Sequence, residues 1–159
     1  MKSLTTKYLL LTTSLILLSA FCPSKAQTVE AKQILNYHEL KGLLSKHKAT
    51  VVSILGMERF KITSSKERPE STIYAFGRGN DSTQILIRVR KSDERVSEIA
   101  WDERPSTLGN LTHEAINDGF VPVGGNSRYY NRFQKMALFI NYKLAKDNGI
   151  LPCILRTIE

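Results

Sequence analysis

The feature that most constrains this chain is a rhythm of short alternating apolar runs, separated by turn-forming residues and arranged in two groups of four. The first group is Arg59–Thr63, Thr72–Phe76, Thr83–Arg90 and Val96–Trp101; the second is Phe120–Val123, Ser127–Phe133, Met136–Leu144 and Ile150–Ile158. Successive side chains of a strand point to opposite faces. Ile85, Ile87 and Val89 therefore share one side of their run, as Met136, Leu138, Ile140 and Tyr142 share one side of theirs. Gly77-Arg78-Gly79-Asn80-Asp81, Ser92-Asp93-Glu94, Gly124-Gly125-Asn126 and Asp147-Asn148-Gly149 punctuate the runs. Asn148-Gly149 is the commonest dipeptide of a tight hairpin. Runs that are apolar on one side and joined by short turns build antiparallel sheets with one buried face.

A helical segment precedes each group. Asn36-Tyr37-His38-Glu39 has the form of a capping box, and Tyr37, Leu40, Leu43, Leu44 and His47 then recur at helical spacing. A second short helix is expected from Thr50 as N-cap through Val51, Val52, Ile54 and Leu55, stopping near Gly56. After Pro105, a helix starting at Ser106 or Thr107 carries Leu108, Leu111, Ala115 and Ile116 as one apolar stripe, and Gly119 ends it in the left-handed cap position. Phe60 and Phe120 open the first strand of each group, and aromatic pairs (Tyr74 and Phe76; Tyr129 and Tyr130) mark the second. The order predicts an α+β fold of two tandem helix-then-four-strand repeats, about 36–103 and about 104–159, forming an antiparallel sheet with helices packed on one face. The expected core is Leu40, Leu44, Ile54, Leu55, Phe60, Ile87, Ile99, Leu111, Ile116, Leu138, Ile140 and Ile154.

The first 26 residues read as an export signal. Lys2 and Lys7 make a cationic start, Leu9 to Leu18 an apolar core, and Ser24-Lys25-Ala26 a cleavage site with small residues at its −3 and −1 positions. That core is too short to span a bilayer. Acylation at Cys22 is disfavoured by the bulky Phe21 before it. Cleavage after Ala26 would release Gln27–Glu159, 133 residues, into the periplasm or the medium as a single domain opening on a short leader, Gln27–Lys32. No later apolar run reaches membrane-spanning length, so an integral membrane protein is not expected.

Removing the signal takes away Lys2, Lys7 and Lys25 and lowers the net charge from +8 to +5. So modest an excess, without a clustered basic tract, argues against nucleic acid as a partner. It also leaves Cys153 as the sole cysteine, so no internal disulfide can form and packing alone must hold the core. Cys153 lies in the apolar run Ile150–Leu155, which predicts a buried, inert thiol.

The signal ending in Ala26-Gln27, the helix stop Asp118-Gly119-Phe120 and the strand Leu138-Phe139-Ile140-Asn141-Tyr142 resemble those of a group of small uncharacterised secreted proteins from Bacteroidota, built from two helix-plus-β-hairpins repeats. In architecture the pattern is also similar to duplicated helix-and-sheet inhibitors of secreted enzymes. Neither resemblance implies a catalytic residue.

The residues themselves offer little chemistry. His38, His47 and His113 show no i, i+4 spacing for zinc, and Cys153 is too apolar in its surroundings to serve as a nucleophile paired with histidine. There is no Gly-x-Ser-x-Gly elbow. Gly77, Gly79, Gly124 and Gly125 form no phosphate loop, and Asp93-Glu94 and Asp102-Glu103 fall at strand ends where solvated charges belong. No catalytic residue, metal or cofactor is expected. Asp81-Ser82-Thr83 resembles a bacterial O-glycosylation site, and Asn80-Asp81-Ser82 and Asn110-Leu111-Thr112 match the N-glycosylation pattern.

One polar signal stands out. Arg88 and Arg90 alternate with Ile87 and Val89 and must point away from the apolar side, while Arg78 and Arg95 lie in the flanking loops. Arginine makes planar two-point contacts with carboxylate and phosphate, so these four are candidates for binding a protein or an anionic envelope ligand. The expected function is that of a non-enzymatic binding protein in the envelope or outside the cell, of the inhibitor, immunity or envelope-binding kind. The alternative is a small secreted hydrolase with a dispersed site that uses His38, His113 or Cys153.

Overall fold

The computed structural model describes residues 35–79, 84–125, 127–144 and 149–158. The expected signal, both motifs at Asn80–Thr83, and Asn126, Asp147 and Asn148 of the expected turns lie outside the described residues.

The capping box at Asn36 forms as expected. Asn36 Oδ1 accepts from the Glu39 N–H at 3.0 Å, and the Asn36 N–H donates to Glu39 Oε2 at 2.8 Å. Helix α1, Tyr37–Lys41, is nevertheless shorter than the spacing through His47 predicts. The chain turns after Gly42, Ser45 takes a left-handed φ of 61°, and His47 makes an isolated bridge with Arg95. Helix α2, Lys48–Met57, is capped by His47 instead of Thr50: the His47 ring accepts from the Ala49 N–H at 3.3 Å. Gly56 lies inside α2. Its stop is Arg59 at φ 66°, which lets the Phe60 N–H reach the Leu55 carbonyl at 2.9 Å.

Helix α3, Pro105–Asn117, does end on the expected glycine. Gly119 takes φ 86°, and the Phe120 N–H donates to the Ala115 carbonyl at 3.0 Å. The start of α3 is less expected. Its N-cap, Arg104, makes no side-chain cap bond. The buried carboxylate of Glu103 takes that part, accepting from the Arg104 N–H at 3.2 Å, the Thr107 hydroxyl and the Trp101 indole N–H at 3.0 Å. Glu103 is thus a structural acceptor and not the solvated charge expected at a strand end.

Eight strands form one sheet: β1 Lys61–Glu67, β2 Ser71–Gly77, β3 Gln84–Arg90, β4 Val96–Glu103, β5 Val121–Pro122, β6 Arg128–Asn131, β7 Met136–Ile140 and β8 Leu151–Thr157. Their order is β1-β2-β3-β4-β8-β7-β6-β5, every neighbouring pair antiparallel. The last strand of each group therefore lies at the centre and the first at an edge. The groups differ in detail: among the described residues two helices precede β1 and one lies between β4 and β5, and β1 has seven residues where β5 has two. Among the described residues no helix is long and apolar enough to cross a membrane.

The helices cover one face. Leu40, Leu43, Val51 and Leu55 from α1, α2 and the turn between them, with Leu111 and Ala115 from α3, form a core with Ile85, Ile87, Val96, Ile99, Leu138 and Leu155 of the sheet. Each fully buried aliphatic chain here contributes about 1.5–3 kcal/mol. Two expected core residues are elsewhere. Ile116 is half exposed beside the stripe formed by Leu111 and Ala115. Ile154 points to the opposite side of β8, because Cys153 and Leu155 are the residues paired with Trp101 and Ile99 of the inner face. Ile54 is only partly buried against the core. Tyr142 is also displaced: β7 stops at Ile140, and Tyr142–Leu144 form a 3-10 turn.

Candidate functional site

The other face of the sheet carries none of the described helices, and cross-strand register composes its surface. One row runs Ala75, Leu86, Ala100, Ile154, Phe139 and Arg128, each opposite the next on the neighbouring strand. The adjacent row runs Ile73, Arg88, Glu98, Arg156, Ala137, Tyr130 and Val121. An apolar row thus lies beside a row holding both signs of charge. Leu86 is 40% exposed in the middle of it.

Arg88 and Arg90 stand on this face, as the alternation of β3 requires. Neither guanidinium is idle. Arg88 donates to Glu98 Oε1, with Nε at 3.2 Å and a terminal nitrogen at 3.1 Å. Arg90 grips Asp93 with two bonds, of 3.2 and 2.7 Å. The Arg90 hydrogen bond holds the Asp93 carboxyl below its ordinary pKa against the opposing effect of desolvation, with smaller help from the Arg95 backbone N–H and both guanidinium charges. Nearby, Lys91 Nζ lies 2.6 Å from Glu67, whose pKa is lowered first by that hydrogen bond and then by the Thr72 hydroxyl.

Arg78 and Arg95 are not brought to this face. Arg78 donates through two nitrogens to the Glu58 carbonyl, at 3.1 and 2.9 Å, and lies 5.1 Å over the Phe60 ring. It braces the joint after α2. Arg95 donates to the Ser45 carbonyl at 2.7 Å and holds the turn between α1 and α2. The sequence pattern brings four arginines near one strand, whereas the structure divides them into two surface side chains and two backbone clamps.

Two open grooves indent the uncovered face. One, of about 590 Å³, has Arg88, Arg90 and Lys91 on its walls. The other, of about 550 Å³, lies at the β6–β7–β8 end, floored by Phe139 and Ile154, flanked by Arg128, Glu98 and Arg156, and closed on one side by Tyr142 and Lys143 of the 3-10 turn. Arg156 stacks over the Phe139 ring at 4.7 Å, and Tyr130 meets the same ring edge-on at 6.1 Å. The second groove was not legible in the sequence, because its residues are spread over Glu98 to Arg156 and meet only once β4, β7 and β8 are neighbours. The one signal available was the alternation Arg128-Tyr129-Tyr130.

The helix side holds the histidines and a second polar cluster. Lys41 Nζ lies 2.7 Å from Asp118 Oδ2, with His38 Nδ1 at 3.8 Å, and the Asn131 amide donates to the Asp118 carbonyl at 2.7 Å. Burial opposes ionisation of Asp118, but the Lys41 hydrogen bond and the charges of Lys41 and His38 draw its pKa below the ordinary carboxylate value. Burial, followed by the Asp118 charge, pushes the Tyr37 hydroxyl far upward. These groups fasten α1 to the end of α3 and to β6. His47 caps α2 and lies 3.1 Å from Glu94, while His113 is exposed on α3. Cys153 is fully buried at the centre of the sheet, and burial first, then the nearby Glu103 and Asp102 charges, raise its thiol pKa strongly. The structure does not bring His38, His113 and Cys153 together. Among the described residues no group of three His, Cys, Asp or Glu side chains could hold a metal ion.

Searches against protein-family models, curated proteins and solved structures returned no match for this chain.

Proposed function

We propose that this protein is an exported, non-enzymatic binding protein that holds a partner against the uncovered face of its sheet, in the periplasm or outside the cell. The observation that carries the reading is that face itself, an apolar row from Ala75 to Phe139 set beside a row of charges. Apolar surface ringed by polar groups is the usual composition of a protein contact site. The partner classes this fits are a secreted enzyme to be blocked, a toxin to be neutralised or an anionic component of the envelope. The strand order, symmetric about β4 and β8, is in keeping with descent from a duplicated helix-and-sheet unit.

The test is capture from envelope and secreted fractions of the source cells, using tagged Gln27–Glu159. Wild type is expected to retain a defined species that a folded Leu86→Glu/Arg88→Glu variant releases. The same species held equally by both proteins would contradict the reading.

A further inference from the structure

The two grooves have similar volumes and similar numbers of cations, yet their cations are in different states. In the Arg88 groove every cation already has a carboxylate: Glu98 for Arg88, Asp93 for Arg90 and Glu67 for Lys91. A ligand carboxylate arriving there must displace or share an existing partner, which removes most of the gain from a surface ion pair. In the groove at Phe139, Arg128, Lys143 and Arg156 have no acidic partner among the described residues. The one carboxylate on its wall, Glu98, is engaged by Arg88.

We infer that the groove floored by Phe139 and Ile154 is the anchoring site for an acidic protein segment, one in which a carboxylate-bearing residue sits beside an apolar or aromatic one. This rests on the proposed binding role and specifies its site and the chemistry of its partner. The carboxylate is received by Arg128 and Lys143, where a planar guanidinium offers two-point recognition. The apolar neighbour lies on Phe139 and Ile154, whose ring Arg156 already orients from above. Aromatic and arginine residues around a partly desolvated pocket are the composition of interface hot spots. A free inorganic anion would satisfy the cations and leave the aromatic floor wet. A protein segment satisfies both and continues outward along Ala100 and Leu86 in the same row.

The experiment is selection of a random phage-displayed peptide library on the full mature chain, followed by affinity measurement with the most enriched synthetic peptide. Selected peptides are expected to carry Asp or Glu beside an apolar or aromatic residue. Affinity should fall about tenfold or more in Arg128→Glu/Lys143→Glu, the equivalent of about 1.4 kcal/mol. Arg128→Gln/Lys143→Gln should weaken binding less, Met57→Ala on the helix side should leave it unchanged, and replacing the peptide's acids by their amides should abolish it. Circular dichroism of each variant establishes that it is folded. Enrichment of peptides without acidic residues, or affinity untouched by Arg128→Glu/Lys143→Glu, would overturn the inference. So would displacement of the peptide by inorganic phosphate, or tighter binding of phosphatidylglycerol vesicles than of any peptide. If binding is instead lost in Leu86→Glu but kept in Arg128→Glu/Lys143→Glu, the uncovered face remains the binding face and only the groove assignment falls. Failure to enrich any peptide counts against the groove assignment, and partner capture through Leu86 and Arg88 then decides the broader proposal by itself.

Discussion

The two faces of the sheet are made from the same strands but obey different rules. On the covered face, Ile85, Ile87, Ile99, Leu138 and Leu155 are buried under the described helices, and the Glu103 carboxylate among them is held by three hydrogen-bond donors. On the uncovered face, Leu86, Ile154 and Phe139 keep solvent contact, and three cations around one groove lack acidic partners among the described residues. Side chains one residue apart on β8 therefore serve different ends: the first face holds the fold together, and the second is available for contact.

Adjacent truncations on β8 give the largest expected effect. Leu155→Ala should cost about 2–5 kcal/mol in urea unfolding, because it opens a cavity among packed neighbours. Ile154→Ala, one residue away, should cost about 1 kcal/mol or less, since its site can refill with water. Equal losses would erase the distinction between the faces. The thiol offers a kinetic version of the same comparison. Cys153 should react slowly with a thiol reagent in the folded protein and rapidly in urea, whereas Ile154→Cys in a Cys153→Ala background should react rapidly in both.

The joints that deliver the helices to the covered face come next. Gly119 sits at φ 86°, with the Asn131 amide 3.4 Å from where a Cβ would lie, so Gly119→Ala should destabilise by about 1–2 kcal/mol. Arg59 occupies the corresponding position after α2 at φ 66° with a side chain in place. Arg59→Gly should therefore be neutral or stabilising by about 0.5 kcal/mol, relief of strain being partly offset by chain entropy. Thermal melts of the pair would separate the two signs.

Acid should loosen the same layer. The pKa of Asp118 is lower in the folded protein than its ordinary value of 3.8, so its contacts contribute fully above that value and are lost as pH falls through it towards the folded value. Urea midpoints across this window should decline less steeply in Asp118→Asn, by an amount on the order of 1 kcal/mol. Smallest of all, Arg90→Ala should change stability by about 0.5 kcal/mol or less, since it removes only an exposed pair.

Much of this division was legible in the residues. Strict alternation in Ile85-Leu86-Ile87-Arg88-Val89-Arg90 fixed which side chains face outward, and the capping box at Asn36 and the stop at Gly119 formed as read. The misreadings have physical causes. Ile150–Leu155 is apolar at both parities, so period two carries no phase, and only pairing with Ile99 and Trp101 puts Leu155 and Cys153 inside. Ile116 shares the helical stripe of Leu111 and Ala115 in sequence but lies at its flank. Thr50 has the better capping propensity, yet the bridge between His47 and Arg95 starts α2 earlier. Charge pairing was invisible as well: Arg88 and Arg128 look alike until tertiary neighbours show that one has a carboxylate and the other, among the described residues, does not.

The most direct measurement of the central claim is photo-crosslinking in the source cells. A benzophenone amino acid would replace Leu86 or Tyr130 on the uncovered face, and Met57 or Ile116 on the helix side. All four positions reach solvent in the described structure, so reagent access does not bias the comparison. Crosslinked product of one defined mass from Leu86 and Tyr130, and none from Met57 and Ile116, is the result expected if the open sheet meets the partner. Product from the helix-side positions alone would contradict it.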